Sequence, residues 1–164
     1  MDILLLVVEA LKFIFPAYCA NAVPVLVGGG APLDSRKPFL DGKPIFGKNK
    51  TVRGFFAGLL VGTAVGCLES VLFGYPLSFG FLLSLGALFG DLAGAFLKRR
   101  LNIAPGGLLP IIDQIDFVLG ALLFALPLKI LYPELVVAVL IITPPIHLLT
   151  NFIAYKLGLK SNPW

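Results

Sequence analysis

The sequence has few charged residues, and this shortage indicates its class. Only 13% of its 164 residues are charged, whereas 58% are hydrophobic, and the mean hydropathy is +0.96. This balance excludes an ordinary soluble domain. At ~20 apolar residues per membrane-spanning helix, the length allows about five spans and two connecting regions, with no separate soluble domain. We therefore predict an all-α integral membrane protein in which residues 1–164 form a single domain.

Motifs that would indicate several other classes are also missing. The two cysteines, Cys19 and Cys67, lie in apolar segments without CxxC or Cys/His spacing, so we interpret them as small buried hydrophobic residues. The N-terminus lacks the basic region and cleavage site of a secretory signal, which predicts that it is a retained helix. The chain has neither the GxxxxGK(S/T) pattern of a P-loop nor an internal repeat typical of inverted-repeat transporters.

Five apolar segments are long enough to cross ~30 Å of hydrocarbon as helices. We predict these five transmembrane helices at about residues 3–27, 54–74, 78–98, 113–131 and 134–157. Basic residues concentrate in the two longer connections, 28–53 and 99–112, and in the C-terminal tail. The positive-inside rule therefore predicts two functional cytoplasmic loops, with the N-terminus outside and the C-terminus in the cytoplasm.

Glycines recur four residues apart in the second and third apolar segments. This spacing creates a smooth helix face and predicts close helix packing, either within the bundle or in a homodimer. The residues concerned are Gly54, Gly58, Gly62, Gly66, Gly86, Gly90 and Gly94.

The stretch from Gly90 to Asp116 places three carboxylates in a largely apolar chain. Asp91 lies two helical turns, ~10 Å, before Lys98 and therefore below the predicted membrane surface. An ionised Asp near the bilayer centre costs about 2.5 to 3.5 kcal/mol, so it must face a polar cavity or a partner. Asp113 and Asp116 are one turn apart at the start of the fourth segment, where their carboxylates can point the same way and repel each other. A hard cation such as Mg²⁺ would relieve this repulsion; alternatively, the two carboxylates stabilise the helix N-terminus through its dipole.

The first predicted loop supplies cations that complement these carboxylates. It is rich in glycine and proline, and Thr51 lies near the start of the second helix, where backbone amides favour phosphate. The alternative is that its charge serves only membrane topology. Cations for phosphates and carboxylates for Mg²⁺ predict phosphoryl or nucleotidyl transfer on a membrane lipid. The cations are Lys43, Lys48, Lys50 and Arg53.

Two sequence patterns resemble those of a known family. The run GDLAGAFLKRR followed by PGG and IIDQID resembles the signature of cytidylyltransferases that make CDP-activated lipids. With PLDSRKPFLDGKPIFGKNKTVRG as its first loop, the chain is similar to the CDP-archaeol synthases over its whole length. The resemblance implies transfer of CMP from CTP to 2,3-di-O-geranylgeranylglycerol 1-phosphate. The products would be CDP-activated unsaturated archaeol and pyrophosphate, made with Mg²⁺ on the cytoplasmic side of the cell membrane.

The resemblance also implies roles for individual residues. Asp91, Asp113 and Asp116 would bind the metal and, with Lys98, would carry catalysis. Lys98 and Arg99 would contact phosphates. The first loop would bind the nucleotide or close over it through Asp41, Lys43, Gly47, Lys50, Thr51 and Arg53.

Other polar residues lie in the first and fifth apolar segments and in the C-terminal tail. Asn21, near the end of the first segment, is placed to hydrogen-bond either a nucleotide or a neighbouring helix. We interpret His147 and Asn151, which share a face of the fifth segment, as packing residues. Lys156 and Lys160 are most simply explained by topology and by attraction to anionic lipid.

Two rival functions fit parts of the sequence. A CDP-alcohol phosphotransferase needs the motif DG-x-x-AR, but here Asp41 and Gly42 are followed by KPIF. A membrane anion or nucleotide carrier would use the basic loop to attract its substrate and the buried aspartate to couple ions. We expect CTP, the ether lipid phosphate and the bilayer as partners, and no nucleic acid.

Overall fold

The computed structural model describes residues 2–163, which form five α-helices. The connections contain one 3₁₀ turn and, within this described part, two isolated β-bridges, Pro32 with Thr51 and Pro38 with Pro44. In chain order the elements are α1 (Ile3–Val27), α2 (Val52–Phe73), α3 (Phe79–Arg100), α4 (Ile112–Ala125), the 3₁₀ turn (Leu126–Leu128) and α5 (Pro133–Lys156).

Four of these helices, α1, α2, α3 and α5, are long and apolar enough to cross a membrane. The predicted multi-pass, all-helical architecture is thus confirmed for four spans. The predicted fourth span, 113–131, is only partly an α-helix, because α4 ends at Ala125. Helix α4 has 14 residues, which at about 1.5 Å each give a rise of ~21 Å. Pro127 lacks a backbone N–H to continue the helix, and Lys129 has a φ of +55° in the left-handed region. The chain therefore leaves the α-helix before a full span is complete.

The N-terminal end of α2 is set by a side-chain cap. The Thr51 hydroxyl accepts a hydrogen bond from Gly54 N at 3.1 Å, and the backbone of Thr51 is extended, as expected of an N-cap residue. At the other end Gly74 adopts a φ of +75° and donates its N–H to Ser70 O. This left-handed conformation favours glycine and ends the helix before α3 begins.

The glycine faces pack helices closely within the chain. A Cβ atom built on Gly62 would lie 2.8 Å from Pro16 O in α1, and one built on Gly66 would overlap the Cα atom of Gly80 in α3. Further along α3, Gly86 meets the backbone of Gly120 in α4 in the same manner. The prediction of close packing is therefore confirmed as packing between neighbouring helices of one bundle. These glycine faces are covered in the monomer.

The apolar core joins four of the helices. Helix α3 packs extensively on α4, α1 packs on α2 and α3, and α5 packs on α1 and α4. Large apolar side chains also point outward, as Leu60, Val71 and Ile141 do, with 72%, 82% and 67% of their surface exposed. An apolar exterior around an apolar core fits a bundle surrounded by lipid. The largest buried core side chains include Phe13, Ile14, Phe79, Leu83, Phe117, Val118 and Val139.

Candidate active site

A cavity of about 770 Å³ is lined by all five helices, both long loops and the C-terminal tail. Its volume is within the usual range for small-molecule sites, ~300 to 1,000 Å³. Among its described lining residues five are basic and three are acidic, so the lining attracts anions. The charged lining residues are Lys48, Lys50, Lys98, Arg99, Lys160, Asp91, Asp113 and Asp116.

Asp91 on α3 has the partner that its position within the membrane requires. The Lys50 ammonium group of the first loop donates to both carboxylate oxygens of Asp91, at 2.6 and 2.5 Å. The two side chains remain 28% and 25% exposed, so the pair faces the cavity rather than the helix core. Helix α3 thus carries the carboxylate, and the loop supplies the compensating cation from 41 residues away in the sequence.

Asp113 in the first turn of α4 forms a second, more buried pair with Lys98. The Lys98 ammonium group lies 2.7 Å from Asp113 Oδ2 and 3.0 Å from Gly107 O, while Leu109 N donates to the same carboxylate oxygen at 3.0 Å. The other oxygen, Asp113 Oδ1, is buried and accepts no hydrogen bond within residues 2–163. Just before α4, Ile111 adopts a φ of +68°, a conformation rare for a β-branched residue. That sharp turn precedes the α4 residue that pairs with Lys98 of α3.

Asp116 lies against α3 in a space that glycine leaves open. Its Oδ1 atom accepts a hydrogen bond from Phe117 N at 2.6 Å. A Cβ atom on Gly94 would collide with the Asp116 carboxylate, because α3 and α4 approach closely there. The charges of Asp91 and Asp113 both act on Asp116. The structure therefore brings the three predicted metal-binding carboxylates to one region.

These carboxylates offer oxygen donors of the kind that Mg²⁺ prefers. The buried, unbonded Oδ1 of Asp113 is such a donor, and Asp116 lies nearby. In the arrangement described for residues 2–163, however, no group of three or more His, Cys, Asp or Glu side chains is positioned to hold a metal ion together. Two of the carboxylates are instead engaged by Lys50 and Lys98. The donor chemistry fits Mg²⁺, whereas direct coordination by all three carboxylates would require the lysines to move.

The first loop is shaped by Asp34, a residue that the sequence analysis missed. Its carboxylate accepts three backbone hydrogen bonds, from Arg36 N and Phe46 N at 3.0 Å and from Gly47 N at 2.9 Å. Burial raises the pKa of Asp34, but the backbone amides outweigh this effect and hold it below the ordinary value of 3.8. Asp34 thereby fixes the stretch that carries Lys50 into the cavity. The sequence offers one local indication of this role: Asp34 lies two residues before Arg36, whose backbone N–H donates to its carboxylate, a spacing typical of an Asx turn.

Besides Gly47, three of the predicted loop residues lie outside the cavity lining. Lys43 Nζ donates to Arg100 O at 3.0 Å, and Asp41 Oδ2 lies 3.1 Å from Arg100 Nε. Arg53 donates through Nη2 to the carbonyl oxygens of Val27 and Gly28. In this conformation these residues attach the first loop to the ends of α3 and α1 rather than facing a ligand.

The other predicted binding residues differ in how they meet the cavity. Asn21, Lys50 and Thr51 line it. Arg99 also lines it although the residue is only 7% exposed, and its Nε atom has no hydrogen-bond partner among the described residues. Gly47 does not line the cavity; it has a φ of +96°, and its backbone N–H donates to the Asp34 carboxylate.

Two polar side chains of α5 also belong to the cavity, although the sequence analysis treated them as packing residues. His147 packs its ring 5.6 Å from the ring of Phe117, and Asn151 Nδ2 lies 3.3 Å from the His147 ring nitrogens. Both residues line the cavity beside the carboxylates. Polar residues one helical turn apart in an apolar helix are a signal for such a site, but that spacing alone does not identify the cluster they face.

Comparisons with known proteins agree with one another. A family model described as "CarS-like: CDP-archaeol synthase" matches residues 3–164. The chain is 47% identical to the CDP-archaeol synthase of Pyrococcus furiosus, covering 96% of this chain and 98% of that protein. It is 44% identical to the CDP-archaeol synthase of Methanococcus aeolicus over the full length of both. A solved structure described as an intramembrane enzyme for archaeal membrane lipid biosynthesis is 38% identical, with a TM-score of 0.83 over 88% of this chain and 94% of that one.

Proposed function

The chain belongs to the CarS-like family of CDP-archaeol synthases, and from this premise we propose that it transfers CMP from CTP to an isoprenoid ether lipid phosphate. The acceptor we propose is 2,3-di-O-geranylgeranylglycerol 1-phosphate. A lipid phosphate oxygen attacks the α-phosphorus of CTP, the bond from that phosphorus to the β-phosphate breaks, and pyrophosphate leaves. The products are CDP-activated unsaturated archaeol and pyrophosphate.

The observation that carries this proposal is the presence of cations and carboxylates in one cavity of a bundle with an apolar exterior. Both substrates of the proposed reaction are phosphate anions that repel each other. Lysine and arginine side chains at the cavity would reduce this repulsion by offsetting the negative charge of the phosphates. The lipid chains would remain in the bilayer beside the bundle, while only the headgroup enters the cavity.

The ion pairs prepare the lysines for this task. Asp91 and Asp113 hold the ammonium groups of Lys50 and Lys98 in the cavity at 2.5 and 2.7 Å. A phosphate that enters can accept hydrogen bonds from these ammonium groups, and the buried guanidinium of Arg99 lies at the same cavity. The reaction needs no general base, because the attacking lipid phosphate is already an anion.

Mg²⁺ is the cofactor that we propose for this site. Asp113 and Asp116, together with Asp91, would hold it. A bound Mg²⁺ ion supplies positive charge to the triphosphate and to the leaving pyrophosphate. The carboxylates keep a negatively charged pocket ready for the ion when their lysine partners turn toward the substrate phosphates.

We place the cavity on the cytoplasmic side of the cell membrane. The loops and the tail that carry Lys48, Lys50 and Lys160 lie at the same end of the bundle as the last turn of α3, where Lys98 and Arg99 stand. The positive-inside rule assigns basic ends to the cytoplasm. CTP would then enter from the compartment in which it is made. Cysteine labelling from each side of sealed vesicles, with a single cysteine introduced at Lys37, tests this orientation.

The reaction itself is tested with the purified protein in detergent. The protein is incubated with Mg²⁺, the unsaturated ether lipid phosphate and each of the four common nucleoside triphosphates, and pyrophosphate and lipid product are measured together. We expect CDP-lipid and pyrophosphate in equal amounts from CTP. If folded protein forms no product with any nucleotide, the proposal fails. Nucleotide flux into liposomes without chemical change would then favour the carrier.

A further inference from the structure

The segment that follows α5, residues 157–163, turns back toward the cavity. Gly158 adopts a φ of +72°, and the backbone N–H groups of Leu159 and Lys160 donate to Ala154 O at 2.9 and 3.4 Å. The bond from Leu159 to Ala154 spans the helix end as in a Schellman motif, which reverses the direction of the chain. We call residues 157–163 the C-terminal strap.

The C-terminal strap forms part of the cavity wall. Asn162 Nδ2 donates to Gly106 O in the second loop at 3.1 Å and thereby joins the strap to the loop that precedes α4. Leu159, Lys160, Ser161 and Asn162 all line the cavity. The strap therefore connects α5 with the loop between α3 and α4 and covers one side of the cavity.

Lys160 brings an additional cation to the carboxylate and lysine cluster. The charges of Lys50 and Lys98, and of their partners Asp91 and Asp113, all act on it. Burial, followed by repulsion from the two lysines, lowers the pKa of Lys160 below its ordinary value. An anion bound among the three ammonium groups would reduce this repulsion and favour the charged form of Lys160.

We propose that the C-terminal strap closes the substrate cavity and that the Lys160 ammonium group binds a phosphate group of a bound substrate. This inference rests on the proposed cytidylyl transfer and adds a substrate-binding residue to it. The phosphate belongs either to the nucleotide or to the lipid headgroup, since both would enter this cavity. Lys160 would thus have a different role from attraction of the tail to anionic lipid, because it lines the cavity.

The test compares Lys160→Met with the same substitution at a nearby lysine, Lys156. Lys156 lies at the end of α5, is exposed, sits over the ring of Phe152 and does not line the cavity. Lys156→Met therefore removes the same charge from the same end of the protein. Lys160→Arg restores a cation at the cavity. For each variant we would measure kcat, the KM for CTP, the KM for the lipid phosphate and the equilibrium binding of CTP.

We expect Lys160→Met to lower kcat/KM about 10- to 100-fold, the range for loss of a hydrogen bond to a charged group. Lys160→Arg should recover most of this loss, and Lys156→Met should stay within about twofold of wild type. Weaker CTP binding with a higher KM for CTP assigns the contact to the nucleotide. A higher KM for the lipid phosphate alone assigns it to the lipid. The inference is overturned if Lys160→Met equals Lys156→Met, or if Lys160→Arg recovers nothing.

Two further measurements separate this inference from its premise. Thermal unfolding in detergent shows whether Lys160→Met is folded. If it is not, folded Lys160→Arg is compared with wild type, and a Lys160→Arg variant without recovered activity overturns the inference. Failure of the wild-type protein to form CDP-lipid would contradict the proposed function. The role of Lys160 would then be decided by the equilibrium binding of CTP, inorganic pyrophosphate and the lipid phosphate to wild type and Lys160→Met. Equal affinities of the two proteins for all three ligands contradict the role of Lys160 alone.

Discussion

Replacing Asp113 with Asn separates the structural from the chemical role of the most buried ion pair. The side chains of Lys98 and Asp113 are 17% and 13% exposed, and their charged atoms are 2.7 Å apart. Asparagine keeps an oxygen that can accept the hydrogen bond from Leu109 N, so the start of α4 retains one of its contacts. The charge opposite Lys98 is lost, although Gly107 O still accepts from its ammonium group.

The expected stability loss follows from this partial compensation. Removing one partner of a fully buried pair costs about 3 to 5 kcal/mol. Because both side chains are slightly exposed and Lys98 keeps Gly107 O, we expect ~3 kcal/mol. For a chain of this size that corresponds to a fall of about 6 to 12 °C in Tm. The double variant Lys98→Met with Asp113→Asn should recover part of this loss, because no uncompensated charge remains.

The chemical effect should be larger than the loss of folded protein. Turnover per folded molecule, measured about 15 °C below the Tm of the variant, should fall about 10² to 10³-fold, as when one preorganised electrostatic group is removed. Glu134→Gln is the control, because Glu134 lies in the first turn of α5 as Asp113 does in α4, but is exposed and outside the cavity. Wild-type turnover in folded Asp113→Asn protein would refute a chemical role. A loss of activity equal to the loss of folded protein would refute it as well.

Three further predictions follow from the site. Gly94→Ala should displace the Asp116 side chain, lower the free energy of unfolding by about 1 to 3 kcal/mol through overpacking, and reduce activity. The control, Ala93→Val on the exposed face of α3, should change neither the unfolding temperature nor turnover. The lowered pKa of Asp34 means that its charged form stabilises the fold above about pH 4 and that this contribution disappears as the pH falls through the folded-state pKa. Asp34→Asn should therefore be less stable than wild type at neutral pH, and the gap should narrow in thermal unfolding below about pH 4; a constant gap would contradict this linkage. Removing Mg²⁺ with a chelator should abolish CDP-lipid formation, and adding Mg²⁺ back should restore it, so an undiminished rate in chelator would exclude the proposed cofactor.

Much of the bundle was predictable because membrane helices depend mainly on local hydropathy. The predicted first span, 3–27, coincides with α1, and the spans for α2, α3 and α5 agree within about two residues at each end. The glycine spacing predicted close packing because small residues let helix backbones approach wherever they recur on one face. The length of α4 was not predictable in the same way, since the apolar run continues past Ala125 while Pro127 and the left-handed Lys129 end the helix.

In the candidate site, too, some features follow from local sequence and others depend on tertiary contacts. The sequence by itself determined that Asp91 needs a partner and that Asp113 and Asp116 can share one side of a helix, because those statements depend on burial and helical spacing. Their identification as metal ligands stays a prediction. Which lysine meets which aspartate, the shaping of the first loop by Asp34 and the return of Lys160 to the cavity were decided only by the tertiary structure. Such contacts join residues far apart in the sequence, and their geometry is set by how the helices pack and where the chain reverses, which no local pattern specifies.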